Sequence, residues 1–242
     1  MTRKIYRPTV LTLLGVAATI AVIAGTAGFI LGRAPLLGRF IPVRFDASGA
    51  PDRWVAFSYS LILLPVWIQL TLAAVFGTIG SLLLYRTNPR APGGVEDEVV
   101  RQERERMLAT AEAISLLSAI WVTFQAFAAL RILWLWQWWQ GTLGDAYLAS
   151  LAVAIVLSVI VGIRAAVNMR HGRPAPRQTE DVHWRMNSLY VNPQDPALFV
   201  PLRNGVGWTL NFGRPRAVMF LVLFVAFGIC IPIILLRLLL GQ

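Results

Sequence analysis

Three acidic residues stand where a carboxylate could do chemistry. Asp46 and Asp52 lie in a short polar stretch between two apolar runs, and Glu112 lies inside a third apolar run. Carboxylates so placed suit general acid–base work on a lipid or a peptide, provided that a nucleophile, a base or a metal stands with them. The sequence offers no such companion. His171 and His183 are the only histidines, and their spacing suits no metal, either with each other or with a nearby carboxylate pair. Cys230, the single cysteine, lies in an apolar run and allows neither an intrachain disulfide nor a cysteine-based metal site. Gly-x-Ser-x-Gly, Walker and Gly-x-Gly-x-x-Gly signatures are missing. No cofactor and no metal are expected, and an enzyme ranks last among the functional readings.

Glu112 has a different companion. It lies about one and a half turns into its span, and Arg164 lies about one turn before the end of the next. Consecutive spans joined by a short turn are usually neighbours, and an ionisable group inside a span is costly unless partnered. These depths predict an intramembrane Glu112–Arg164 pair. The alternative is that each side chain snorkels separately to the headgroups.

The elements that hold these groups follow from composition. The 242 residues are 57% hydrophobic and only 14% charged. A soluble domain carries about a quarter charged residues. The shortfall is concentrated in long apolar runs, so the expected fold is an all-α integral membrane protein with about five transmembrane helices. The net charge is +10, and every cation but Lys4 is Arg. In loops between spans such residues set topology and touch anionic headgroups, so the bilayer is the expected partner and nucleic acid is not.

Residues 1–85 supply the first two spans. Thr9 to Gly32 is too long for the apolar core of a signal peptide and reads as a retained span. Residues 33–54 form an extracytoplasmic loop, in which Pro35, Pro42, Gly49 and Pro51 forbid a continuous helix. Leu36, Leu37, Phe40 and Ile41 are expected on the membrane surface. The second span is placed at Val55 to Tyr85, kinked by Pro65.

Residues 86–168 hold a charged cytoplasmic loop and spans three and four. The run Glu96 to Arg106 reads as a solvated helix feeding the third span, which ends in an interfacial cluster of Trp134, Trp136, Trp138 and Trp139. Residues 169–216 form a polar cytoplasmic lobe, and residues 217–242 the fifth span. The cation bias predicts a cytoplasmic amino terminus and an extracytoplasmic carboxyl terminus.

Two stretches carry motifs. The first runs Ile41-Pro42-Val43-Arg44-Phe45-Asp46-Ala47-Ser48-Gly49-Ala50-Pro51-Asp52-Arg53-Trp54. Its Pro and Gly residues suit a rigid cap. Asp52 suits the start of the second span, where a carboxylate can accept backbone N–H bonds, and Trp54 suits interfacial depth. The second stretch includes Asn192-Pro193-x-Asp195-Pro196, then Phe199-Val200-Pro201, then Gly205-Val206-Gly207-Trp208-Thr209-x-Asn211-Phe212-Gly213-Arg214-Pro215. Asn-Pro-x-Asp-Pro is turn chemistry. Leu198–Val200 and Trp208–Phe212 are strand-like around Asn204-Gly205, which predicts a small hairpin or irregular lobe leaning on the spans or the membrane surface. Trp184, Trp208 and Phe212 are suited to interfacial anchoring. Asn192, Asp195 and Asn211 are expected to be spent on backbone bonds. Recognition of a protein partner, on the lobe or the outer loop, is expected to fall to Arg44, Asp46, Arg203 and Arg214.

The first stretch resembles the loop after the first span in SdpI-like bacterial membrane proteins, whose pattern is roughly Ile-Pro-x-His-Phe followed by Gly-x-Pro-Asp-x-Trp. Pro42, Phe45, Gly49, Pro51, Asp52 and Trp54 match; Arg44 replaces the usual His, so a role needing an imidazole does not transfer. The second stretch is similar to a carboxy-terminal domain of unknown function that accompanies that loop. The resemblance implies an immunity or signal-transducing protein of the bacterial membrane, acting without catalysis. A structural subunit of a larger membrane complex is the alternative.

Overall fold

The computed structural model describes residues 7–46, 50–84, 98–138, 144–170, 181–186, 188–195, 198–202 and 208–225. The chain is mostly helical. Among the described residues, four helices are long and apolar enough to cross a membrane, within Val10–Leu36, Leu64–Ser81, Arg104–Trp138 and Asp145–Asn168.

Helix α1 (Val10–Arg33) starts at Thr9, whose hydroxyl accepts the Thr12 N–H. Its inward stripe is small or polar: Thr12, Gly15, Thr19, Thr26 and Ile30 are buried, while Leu13, Leu14, Val16 and Ile20 face outward. Lipid is as apolar as leucine, so burying leucine between spans gains little there. Small residues that let backbones approach gain more. Gly15 shows this directly, because a Cβ on it would stand 2.9 Å from Ser115 Oγ and 3.0 Å from the Ser115 backbone.

Ser115 belongs to α4 (Glu98–Trp138), the hub of the bundle, which packs against α1, α3 (Leu64–Leu84) and α5 (Gly144–Arg170). At 41 residues α4 is about 60 Å long, roughly twice the hydrocarbon thickness. Its charged first turns therefore continue beyond the apolar part, as expected for the run ending at Arg106. Contacts run in parallel register between α1 and α4, with Thr9 at Glu112 and Thr19 at Ser118. Helix α5 runs antiparallel to α4, with Tyr147 near Phe124 and Arg164 at Glu112. The amino end of α1 and the carboxyl end of α5 thus share one end of the bundle.

The other end carries an antiparallel hairpin, β1 (Phe40–Phe45) and β2 (Pro51–Ala56). The sequence pattern does not show it, because prolines and two register shifts, after Pro42 and after Arg44, mask the strand alternation. Val55 accordingly lies in β2 rather than opening the second span. That span begins with a single turn, α2 (Tyr59–Ile62), capped by Ser58, whose hydroxyl accepts the Leu61 N–H. The expected capping role of Asp52 is therefore wrong: Asp52 is in the strand, and Ser58 is the residue with extended backbone just before the helix. Pro65 falls in the first turn of α3, next to the break at Leu63, where its missing N–H disturbs little.

Ile30, Ala34, Ile41, Leu61, Ile62, Val66, Ala129 and Leu133 form the core beneath the hairpin, with Val43, Val55 and Phe57 packed on it. Ile41 and Leu37 thus pack inward instead of lying on the membrane surface, while Leu36 and Phe40 stay exposed.

Four short strands pair up beyond α5: β3 (Trp184–Arg185) with β4 (Leu189–Tyr190), and β5 (Phe199–Pro201) with β6 (Trp208–Leu210). The β5–β6 pair matches the predicted hairpin. With the β1–β2 hairpin, these sheets qualify the all-α expectation, which holds for the spans. Helix α6 (Pro215–Val225) has its proline at the first position, where no N–H is needed. The rest of the expected fifth span, with Cys230, lies outside the described residues.

Candidate functional site

Polar chemistry gathers at three places. The first is inside the bundle. Arg164 Nη2 donates to Glu112 Oε1 at 3.0 Å, and Thr9 Oγ1 donates to Glu112 Oε2 at 2.9 Å. The pair expected from depth alone therefore exists, and it also holds the cap of α1. The carboxylate is largely enclosed, with 14% of its side chain exposed, while 55% of Arg164 is open toward the outside of the bundle. Further along the same seam, Thr19 Oγ1 donates to Gly15 O and approaches Ser118 Oγ at 3.4 Å. Gln69 then closes the seam. It is 0% exposed, and its Nε2 donates to Thr26 Oγ1 and to Val122 O, both at 3.1 Å. Its Oε1 has no hydrogen-bond partner among the described residues. The sequence reading passed over Gln69; a lone amide in an apolar run was the signal for it.

The second place is the β1–β2 hairpin. Arg44 Nε lies 2.9 Å from both oxygens of Asp52. This bond, more than the coulombic attraction that accompanies it, holds the guanidinium above its ordinary pKa. Arg44 was expected to be a partner-facing cation and Asp52 a scaffold; the structure joins them in one unit. Asp46 was expected to face a partner, yet its carboxylate accepts the Ala50 N–H and its own N–H donates to Ala50 O, closing the turn. Pro42 is buried, and Trp54, its partner across the strands, is exposed. Gly49 lies outside the described residues.

The third place is the lobe, which is organised around Asn211. This residue is 0% exposed. Its Oδ1 accepts the N–H groups of Asn192 and Gly213, and its Nδ2 donates to the carbonyls of Asn192 and Asp195. Both lone pairs and both amide hydrogens are used, so a buried polar group carries no desolvation debt. Asn192 Oδ1 accepts from the Gln194 and Asp195 N–H groups, an Asx turn of the kind its motif predicted. Gly213 is required by close approach, since a Cβ there would fall 2.6 Å from the Asn192–Pro193 peptide. Arg214 Nε donates to Asp195 O at 2.8 Å, so this expected partner cation is partly structural.

Tyr190 was not singled out in the sequence, yet it is the lobe's core. It is buried, stacks near Trp184 at 5.1 Å, donates from its hydroxyl to Asp195 Oδ2 and accepts from Asn192 Nδ2. Burial pushes its phenol above the ordinary value; the Asn192 bond opposes this, and the Asp195 charge and bond add to it. Trp208 contributes backbone to β6. Arg203 lies outside the described residues. Among the described residues, no three His, Cys, Asp or Glu side chains converge as a metal would need.

The arrangement fits a membrane protein: apolar helices, a strapped hairpin at one end and a hydrogen-bonded lobe after α5. Residues 193–218 match a family of unknown function, DUF5808. That segment contains Asp195, Asn211, Gly213 and Arg214, and so most of the lobe's hydrogen-bonded knot. No curated protein matches the chain. No solved structure matches it.

Proposed function

We propose that the chain is a five-span protein of the bacterial inner membrane, with its amino terminus in the cytoplasm and its carboxyl terminus outside. It acts without catalysis as an SdpI-like immunity or signal-transducing protein. The outer hairpin meets an envelope ligand, and the lobe meets a cytoplasmic protein.

The observation that carries this reading is the fastening of the hairpin. Ile41, Val43 and Val55 pack on residues of α1, α3 and α4 together. A load on the hairpin therefore bears on three helices that reach the opposite end of the bundle, and rigid packed elements transmit such a load better than a loose loop. The acids an enzyme would use are engaged in structure: Asp46 in a turn, Asp52 on Arg44, Glu112 on Arg164 and Thr9.

Purification in mild detergent separates this reading from that of a structural subunit. A signal-transducing protein should yield a partner whose amount falls when Arg44→Ala and Asp52→Ala together loosen the hairpin, with the bundle still folded. A stoichiometric partner retained unchanged by the double variant would favour the structural subunit.

A further inference from the structure

The β3–β4 hairpin has one face accounted for and one that is not. Trp184 and Tyr190 pair across it and turn into the lobe. Arg185 and Leu189 pair on the opposite face, and both are exposed. A two-stranded element facing water on that side should carry polar residues there. Instead, apart from Ser188, whose hydroxyl donates to Met186 O, the exposed side chains of the hairpin beside Arg185 are Leu189 and Met186, at 89% exposure, with Val182 at 82% just before β3. Met186, at the turn, is also the one described non-glycine residue with a positive φ, 50°. A left-handed methionine costs on the order of 1 kcal/mol or more, which the turn maintains while holding an apolar side chain outward.

The position of this hairpin relative to α6 narrows its occupant. Phe212 N donates to Tyr190 O at 2.9 Å, and Tyr190 bridges to Asn211. Helix α6 begins at Pro215, and its exposed side chains from Val218 to Val222 are apolar. Phe212 and Val218 are six residues apart, with Pro215 onward helical, so β4 lies within about 20 Å of the apolar, exposed surface of α6. Arg216, also exposed, stands at the same boundary.

We propose that the outward face of β3–β4 lies on the anionic lipid surface of the same bilayer. Val182, Met186 and Leu189 enter the boundary between headgroups and acyl chains, and Arg185 meets a lipid phosphate. This is the chemistry of an interfacial anchor: apolar side chains supply burial, and a cation supplies attraction to anionic headgroups. The inference rests on α6 being the start of the fifth span, and it holds whether or not the lobe also meets a protein. It leaves Asn192 to Asp195, on another edge of the lobe, free of the membrane.

The test uses the full chain with Cys230→Ser, carrying an environment-sensitive fluorophore on Met186→Cys or, independently, on Val182→Cys. The protein is reconstituted in vesicles of phosphatidylcholine alone or with phosphatidylglycerol. With phosphatidylglycerol, both labels should emit at shorter wavelength and be quenched by lipids spin-labelled near the headgroup. High salt or Arg185→Glu should reverse most of that change, and a label on Gln194→Cys should stay water-like throughout. A label on Met219→Cys reads the insertion of α6 separately. If Met219 is quenched by lipid while positions 182 and 186 stay water-like, the docking is wrong and the fifth span stands. If Met219 is water-like too, the premise falls with the proposal. A shift at 182 and 186 that requires an added protein rather than anionic lipid also overturns it.

Discussion

Arg164 and Glu112 meet at 3.0 Å although 52 positions separate them in the chain. Because Thr9 occupies the second carboxylate oxygen, the contact ties α5, α4 and the start of α1 together. Arg164→Ala leaves a carboxylate within the apolar part of the bundle with one hydroxyl for company. Each single alanine variant should lower stability by roughly 2 kcal/mol, the scale of a charged hydrogen bond. The coupling should be smaller, about 1 kcal/mol, because the Arg164 side chain is more than half exposed. A double-mutant cycle on thermal unfolding in mild detergent measures both, and a coupling of zero would make the contact incidental.

Gly15→Ala tests the closest helix approach. The added methyl meets Ser115 Oγ and backbone at 2.9–3.0 Å, so α1 must move off α4. The expected loss is about 1–3 kcal/mol, typical of overpacking. Gly25→Ala is the control, since nothing lies within 4 Å of its added methyl, and the higher helix propensity of alanine should leave stability unchanged or slightly raised. Equal effects at the two sites would contradict the close approach.

Asn211→Ala should unlock the lobe and spare the helices. It strands the Asn192 and Gly213 N–H groups and the Asn192 carbonyl, while the Asp195 carbonyl keeps its bond from Arg214 Nε. The lobe should lose at least about 3 kcal/mol, counting each stranded group at the lower end of its cost. Asn211→Asp keeps the acceptor and loses the donors, and should fall between. Amide hydrogen exchange at residues 192 and 213 reads the effect, with α1 and α4 amides as internal reference. Uniform loss of protection would mean that the lobe and bundle unfold as one unit.

Tyr190 gives the lobe an alkaline limit. Its phenol is raised above the ordinary value of 10.0, chiefly by burial. The folded lobe therefore holds this proton when the unfolded chain has released it. The stabilising contribution is complete below pH 10.0 and declines as pH rises beyond it toward the folded-state value. Tyr190→Phe should flatten that decline, although it also removes the bonds to Asp195 and Asn192 and so lowers stability near neutrality. Lobe stability followed by hydrogen exchange across this range would show the difference in slope; parallel curves would exclude Tyr190 as the source.

The spans were legible because one property decides them. A helix satisfies its own backbone, so a long apolar run suffices to place α1, α4 and α5 with no knowledge of what they touch. Depth along those helices even brought Glu112 and Arg164 together, since rise per residue is fixed and consecutive spans are neighbours. The Asn192 turn and the β5–β6 pair were legible for a similar reason: turn chemistry is local, acting within a few residues.

What only tertiary structure decided depends on neighbours distant in sequence. The β1–β2 hairpin was hidden because its strands are broken by proline and two register shifts, and it is the core formed by Ile30, Ile62 and Leu133 that makes Ile41 and Val55 inward-facing. Asp52 looked like a helix cap because it precedes an apolar run, but the chain spends four more residues in strand before Ser58 takes that place. Gln69 and Gly15 carry no motif in one dimension. Their roles arise from partners 43 or more residues away, Thr26 and Val122 for Gln69 and Ser115 for Gly15. The sequence determined that most of this chain must be helix in an apolar medium, because unpaired backbone is intolerable there. Which polar groups are buried, and against what, was decided by packing, because a hydrogen bond between distant residues exists only once the fold has brought them together.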